Sequence, residues 1–183
     1  MNAAMILIAA SSISFSGWFG ASVDEMHGVF SDSNNGYSIT FPDGWHSTPY
    51  IRSTKVTRMG WELQCIAVDR IPMEEGLPNT KKVLRENMIL PDLSQTYIDS
   101  VKSAPDISRF SLVSNKPAQV GGRSAFRIEY SYVKSDLMYG CICYGVFNNK
   151  SLYIISYTAP RRHYFPINVK DFEQAAKTFS FLP

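Results

Sequence analysis

From Arg109 to Thr158 the chain reads as strand after strand, separated by links too short for a strand to cross over. Apolar and aromatic residues mark strands at 110–114, 118–120, 124–134, 138–147 and 152–158. Gly121-Gly122 and Asn148-Asn149-Lys150 suit tight connections, because Gly and Asn accept left-handed backbone angles. Parallel neighbours need a crossover of roughly a dozen residues, so strands joined this closely are antiparallel. The second half of the chain is expected to be an antiparallel meander.

The first half is more mixed. Tyr37, Ile39 and Phe41 alternate with Ser38 and Thr40 as in a half-buried strand, and Pro42-Asp43-Gly44 supplies a turn after which Trp45 folds back on the core. Residues 50–70 read as one or two strands, and 63–68 are apolar on both faces, which calls for cover on both. Val83, Leu84 and Met88 suggest a short helix over 80–88, capped by Asn79 or Thr80. A second helix runs from Asp92, with Leu93, Tyr97, Ile98 and Val101 on one stripe, and Pro105 stops it. The last helix is expected to begin at Asn168 as cap, with Asp171 favoured at the positive end of the dipole. Ile167 and Phe172 would form a hydrophobic staple, and Phe172, Ala175, Ala176 and Phe179 the buried stripe.

The 183 residues, 45% of them hydrophobic, suffice for one core and fall short of two domains. Eighteen basic against sixteen acidic side chains leave a net charge of +2, far from the positive field that binding many phosphates requires, so nucleic acid is not an expected partner. Residues 3–21 carry no charge, and Gly20 and Ser22 suit a signal-peptidase site. The expectation is a signal peptide over residues 1–22, with the mature chain starting near Val23 and forming a single domain over 23–183. An uncleaved membrane anchor is the first alternative and a cytosolic hydrophobic segment the second. Against the leader, no Lys or Arg precedes Arg52.

Residues that carry chemistry are sparse. Cys141 and Cys143 lie two apart in a strand and face one side, so they do not bridge each other; either reaches Cys65 only if their strands are neighbours. Three small buried hydrophobes is the equal alternative. No nucleophile elbow, phosphate loop or His-Glu-x-x-His pattern occurs, and a spatial triad around His46 or His163 is the remaining hydrolase reading. Asp24, Glu25 and His27, or Asp43 and His46, are the only groupings that suggest a metal, and solvated surface explains them better. No cofactor is expected.

Basic residues cluster at Arg52, Lys55 and Arg58, at Lys81, Lys82 and Arg85, and at Arg161, Arg162 and His163. The last group, flanked by Pro160 and Tyr164 on a loop, is the candidate binding surface. Tyr130, Tyr132, Tyr139, Tyr144, Tyr153 and Tyr157 recur over successive strands, either as packing or as an aromatic binding face. Asn149-Lys150-Ser151 matches a glycosylation sequon and reads as turn chemistry.

Three segments together carry a family resemblance: Tyr37-Ser-Ile-Thr-Phe-Pro-Asp-Gly-Trp45, Gly121-Gly-Arg-Ser-Ala-Phe-Arg-Ile-Glu-Tyr130 and Phe172-Glu-Gln-Ala-Ala-Lys-Thr-Phe-Ser-Phe-Leu182. In this order, with Tyr-rich strands between the second and third, residues 37–183 resemble the PsbP-like superfamily, which includes a structurally similar Ran-binding nuclear import factor. The resemblance implies an α+β fold in which an antiparallel sheet is sandwiched by helices, and action by docking to larger assemblies without catalysis. The expected function is that of an exported, non-enzymatic domain binding a protein or envelope component. Membrane contact is expected only through an uncleaved N-terminal segment. A small-molecule or metal-binding accessory protein is the alternative, and an unrecognised hydrolase the third reading.

Overall fold

The computed structural model describes residues 24–50, 53–80 and 82–183. The expected leader, Arg52 and Lys81 lie outside them. The elements in chain order are β1 (Asp24–Glu25), β2 (Val29–Asp32), β3 (Tyr37–Thr40), β4 (His46–Tyr50), β5 (Ser53–Thr57), β6 (Cys65–Pro72), α1 (Leu90–Lys102), β7 (Ser108–Val120), β8 (Arg123–Lys134), β9 (Leu137–Asn148), β10 (Ser151–Pro160), α2 (Tyr164–Thr178) and β11 (Ser180–Phe181). Eight strands form one antiparallel sheet in the order β1-β4-β5-β6-β10-β9-β8-β7, and β11-β3-β2 form a small second sheet. The meander expected from the short links is present as β7 to β10. Gly121 and Gly122, at φ +55° and +73°, and Asn149 and Lys150, at +46° and +57°, make two of its turns, and Ser135 and Asp136 make the third with the same left-handed angles.

Period-two alternation sends the two faces of the large sheet into two separate cores. Tyr153, Ile155 and Tyr157 of β10 meet Trp45, the small sheet and Phe172, Ala176 and Phe179 around α2. Leu152 and Ile154 of the same strand face the other way, toward Leu93, Tyr97, Ile98 and Val101 of α1. The sheet is thus sandwiched by helices, an α+β fold. Trp45 is fully buried after its Pro-Asp-Gly turn, with Gly44 at φ +74°. Among the described residues no helix is long and apolar enough to cross a membrane.

Several elements differ from the sequence reading, each for a local reason. Residues 82–89 are not helical. Only Leu84 of that segment is fully buried, Val83 is 62% exposed, and Asn79 takes the left-handed φ of 62°. The segment is instead held as a loop against α1, through Asn79 Nδ2 to Ser100 O at 3.5 Å and the ion pair of Lys82 with Asp99. The last helix starts one turn before Asn168, at Tyr164, because Pro166 falls in a first turn that needs no donor from it. Asn168 is therefore a buried helical residue rather than a cap, and Ile167 is 55% exposed, so no staple forms. The two short strands at 110–114 and 118–120 are one strand, β7, which lies at the sheet edge where Pro117 costs no ladder bond.

Cys65, Cys141 and Cys143 are free. Cys65 and Cys141 are both paired with Thr158, from opposite sides, so β10 stands between their strands. Two strand spacings of ~4.8 Å put their backbones beyond disulfide reach.

Candidate functional site

The Arg161 turn is built by the ends of three elements. Pro160 is the last residue of β10 and pairs with Tyr139; Arg161 N then continues the ladder, donating to Met138 O at 2.8 Å. The Arg161 guanidinium donates through Nη1 to Ser131 Oγ at 3.0 Å, which draws its head over β8. On the far side, Tyr157 donates its hydroxyl to Tyr164 O at 2.8 Å, and Phe165 stacks on Tyr157 with centroids 5.6 Å apart. That stacking needs the bare backbone of Gly140, where a Cβ would come within 2.8 Å of the Phe165 ring. The turn is pinned at both ends, and Arg161, Arg162 and His163 stand exposed on it. Tyr164, grouped with them in sequence, is the first helical residue and half-buried, with its ring against His163 at 5.0 Å.

Other groups share this end of the sheet. The β5–β6 link carries Met59 and Trp61, 59% and 38% exposed, and Tyr139 OH reaches Glu62 O at 3.4 Å across the gap. Leu137 and Met138, each 45% exposed, open β9 beside Arg161. Sequence reasoning did not single out these four. In a strand pattern Met138 is one more apolar residue, and only the distance that α2 reaches along the sheet leaves it uncovered.

Beside α2, Arg127 donates to Glu173 through Nε at 3.0 Å and Nη2 at 2.7 Å, and Tyr144 OH also donates to Glu173. Burial, and then the adjoining carboxylate, push the Tyr144 hydroxyl up to about 12. All three groups are satisfied by one another, so this network fastens α2 to β8 and β9.

The catalytic and metal candidates do not assemble. Burial pushes the Cys65 thiol up to about 12 and Cys141 up to about 11, and raises Cys143 well above its usual value, so none is a thiolate at neutral pH. His46 Nδ1 is buried with no hydrogen-bond partner, where a triad histidine would hold a carboxylate. His27 pairs with Glu25 at 3.6 Å on open surface. Among the described residues no group of three His, Cys, Asp or Glu side chains is placed to hold a metal ion.

The tyrosines settle as packing. Tyr130, Tyr132, Tyr153 and Tyr157 are at most 5% exposed, and Tyr132 stacks on Tyr139 at 5.6 Å. An exposed aromatic face is absent from these strands.

No family model matches the sequence, and no curated protein matches it either. Solved structures do match the fold. The solution structure of cyanobacterial PsbP (CyanoP) from Synechocystis sp. PCC 6803 superposes with a TM-score of 0.61 at 16% identity, covering 90% of this chain and 98% of that one. The Ran-binding protein Mog1p of Saccharomyces cerevisiae superposes with a TM-score of 0.59 at 8% identity, covering 88% of this chain and 97% of that one.

Proposed function

We propose, from the premise that this chain has the PsbP-like fold, that it is an exported, non-catalytic domain which docks onto a protein or envelope component. Residues 1–22 act as its leader, and 23–183 are the single working domain. The docking surface is the sheet end around Arg161, Arg162 and His163. The observation that carries this reading is the build of that turn: two arginines and a histidine exposed on a loop that is fixed at both ends. A rigid presentation lowers the entropy lost on binding, and arginine is the charged residue most favoured at contact hot spots. The unreactive thiols and the unassembled histidines support the absence of catalysis. A Ran-binding protein with the same fold lends support to a protein-docking role without identifying a partner here.

Capture from the native envelope fraction tests it. Arg162→Ala is expected to lower partner yield while the unfolding midpoint stays within about 0.5 kcal/mol of the parent, as for an exposed side chain. Arg161→Ala also removes the bond to Ser131, so the Arg162 variant isolates recognition from stability. Yield from the parent is expected to fall as salt rises, because screening limits surface charge to a reach of about 8 Å at physiological ionic strength. Equal recovery of the same partner by parent and variant, at low and high salt, would remove this surface from the account.

A further inference from the structure

We infer that a polar groove along β6, on the α1 side of the large sheet, takes a small neutral polyol of the sugar class. It lies apart from the Arg162 turn and does not depend on the docking reading. The register of the sheet defines it. Ile71 of β6 and Leu152 and Ile154 of β10 belong to the core under α1, so by alternation Cys65, Ala67 and Asp69 of β6 and Ser156 and Thr158 of β10 share that face. Cross-strand pairing sets them in rows: Ser53, Asp69 and Ile154 in the first, Lys55, Ala67 and Ser156 in the second, and Cys65 beside Thr158 in the third. The helix α1 lies over β7 and β8, and α2 lies on the opposite face, so among the described residues no helix stands above these rows.

The rows are nonetheless recessed. Lys55, Cys65, Asp69, Ser156 and Thr158 are each half-buried without a helix to cover them. The floor is made of small side chains, with Ala67 and Ser156 at its centre, and the rims are large. Tyr139, stacked on Tyr132 at 5.6 Å, sends its hydroxyl across to Glu62 O at 3.4 Å and closes the Cys65 end. Burial raises the Asp69 carboxyl above its ordinary value and pushes the Cys65 thiol up to about 12, as a recess does and an open surface does not.

The groups then select the ligand. Asp69 supplies a carboxyl and Lys55, whose charge acts on it, an ammonium, so neither a free anion nor a free cation is favoured at this end. A hydroxyl suits both, because it donates to the one and accepts from the other. Thr158 already donates to Cys141 Sγ at 3.4 Å and so presents its lone pairs to a ligand, whereas the Ser156 hydroxyl can take either role. Donors and acceptors alternating over two strands, with a tyrosine edge at one end, match a ring that carries adjacent hydroxyls and an apolar C–H face. A few convergent polar groups in a concave site are what orient such a ligand.

Titrating the isotope-labelled full chain with glucose, N-acetylglucosamine and maltose, and with acetate and choline as charged controls, tests the inference. At least one sugar is expected to move the amide signals of residues 65–69 and 156–158 in a saturable way, and the charged controls are not. Asp69→Asn is expected to weaken that binding roughly tenfold, as for loss of a hydrogen bond to a charged group. Ser156→Val, which removes the hydroxyl and raises the floor, is expected to weaken it at least as much, while Arg162→Ala leaves it unchanged. Should Asp69→Asn lower the unfolding midpoint, Ser156→Val at the parent midpoint decides the matter. No saturable shift at these residues with any of the sugars overturns the inference, as does undiminished binding by both groove variants. Saturable binding of acetate or choline at the same residues also overturns it, because the groove would then be selecting charge.

Discussion

Trp45→Ala is expected to destabilise the fold by roughly 3–5 kcal/mol, the range for truncating a large buried aromatic. The indole is fully buried and meets Tyr157 edge to face at 6.4 Å, and the Trp45 carbonyl accepts from Met26 N at 2.8 Å. Only the side-chain contacts are lost, since the backbone bond survives the substitution. One feature moderates the loss: Trp45 Nε1 is buried with no hydrogen-bond partner, and removing an unpaired donor recovers about 1–3 kcal/mol of desolvation. The value is therefore expected in the lower half of the range. Trp45→Phe, which drops the donor and keeps most of the ring, is expected to do less harm than Ala by more than about 1 kcal/mol. For a chain of this size the Ala change corresponds to a fall in Tm of roughly 6–16 °C. A denaturant midpoint for Trp45→Ala close to the parent would show that the ring is not buried as described.

The second large effect comes from adding an atom. Gly145 of β9 stands directly opposite Phe126 of β8, and a Cβ at that glycine would lie 1.9 Å from the Phe126 ring. The ring cannot yield freely, because Phe126 is 1% exposed and packs against Tyr97 of α1 at 5.9 Å. Gly145→Ala is expected to cost about 1–3 kcal/mol or more by overpacking, whereas Ala would otherwise suit a strand better than Gly. A double-mutant cycle separates a clash from a backbone effect. Phe126→Ala removes the obstructing ring, so in its presence Gly145→Ala is expected to become nearly neutral, with a coupling above about 1 kcal/mol. Additive losses in the two single variants would place the cause in the backbone and remove the proposed fit.

How much of this was readable in advance follows from the range of the forces involved. The strands β8, β9 and β10, the buried stripe of α2 and the burial of Trp45 rest on periodicity and turn chemistry within a few residues, and all are present. The helix expected at 80–88 fails because its one buried anchor, Leu84, is satisfied by a loop docked on α1, and periodicity over so few residues does not distinguish the two. The start of α2 lies earlier than expected because Asn168, a residue type that suits a cap, is instead helical, and the first turn admits Pro166. The side chain of Asn168 is in fact buried with α2 against the sheet, a tertiary fact with no local mark. The pairing of β11 with β3 joins Ser180 to Ser38. Nothing near either residue announces it. The candidate surface divides in the same way. Arg161 and Arg162 stand out as adjacent charges on a loop, but Trp61 and Met138 join them only through the strand order, which brings links distant in sequence to one end.

That strand order also governs when the molecule can close. Each strand of the meander from β7 to β10 meets the next across a short turn, so the loops to be closed are small and the entropic barrier is low. β6 has no such neighbour on its inner side: Cys65 to Pro72 must wait for Ser151 to Thr158, about eighty residues further on. During synthesis the first half of the chain therefore emerges with an open strand edge and an unburied apolar face, and it finds its partner only after residue 160 has been made. A chain that folds in this sequence spends its vulnerable period before completion, with the β6 edge and its apolar face open until β10 arrives. Pulse-labelled hydrogen exchange would register it as protection of β8, β9 and β10 amides ahead of those in β5 and β6, and the reverse order would refute it.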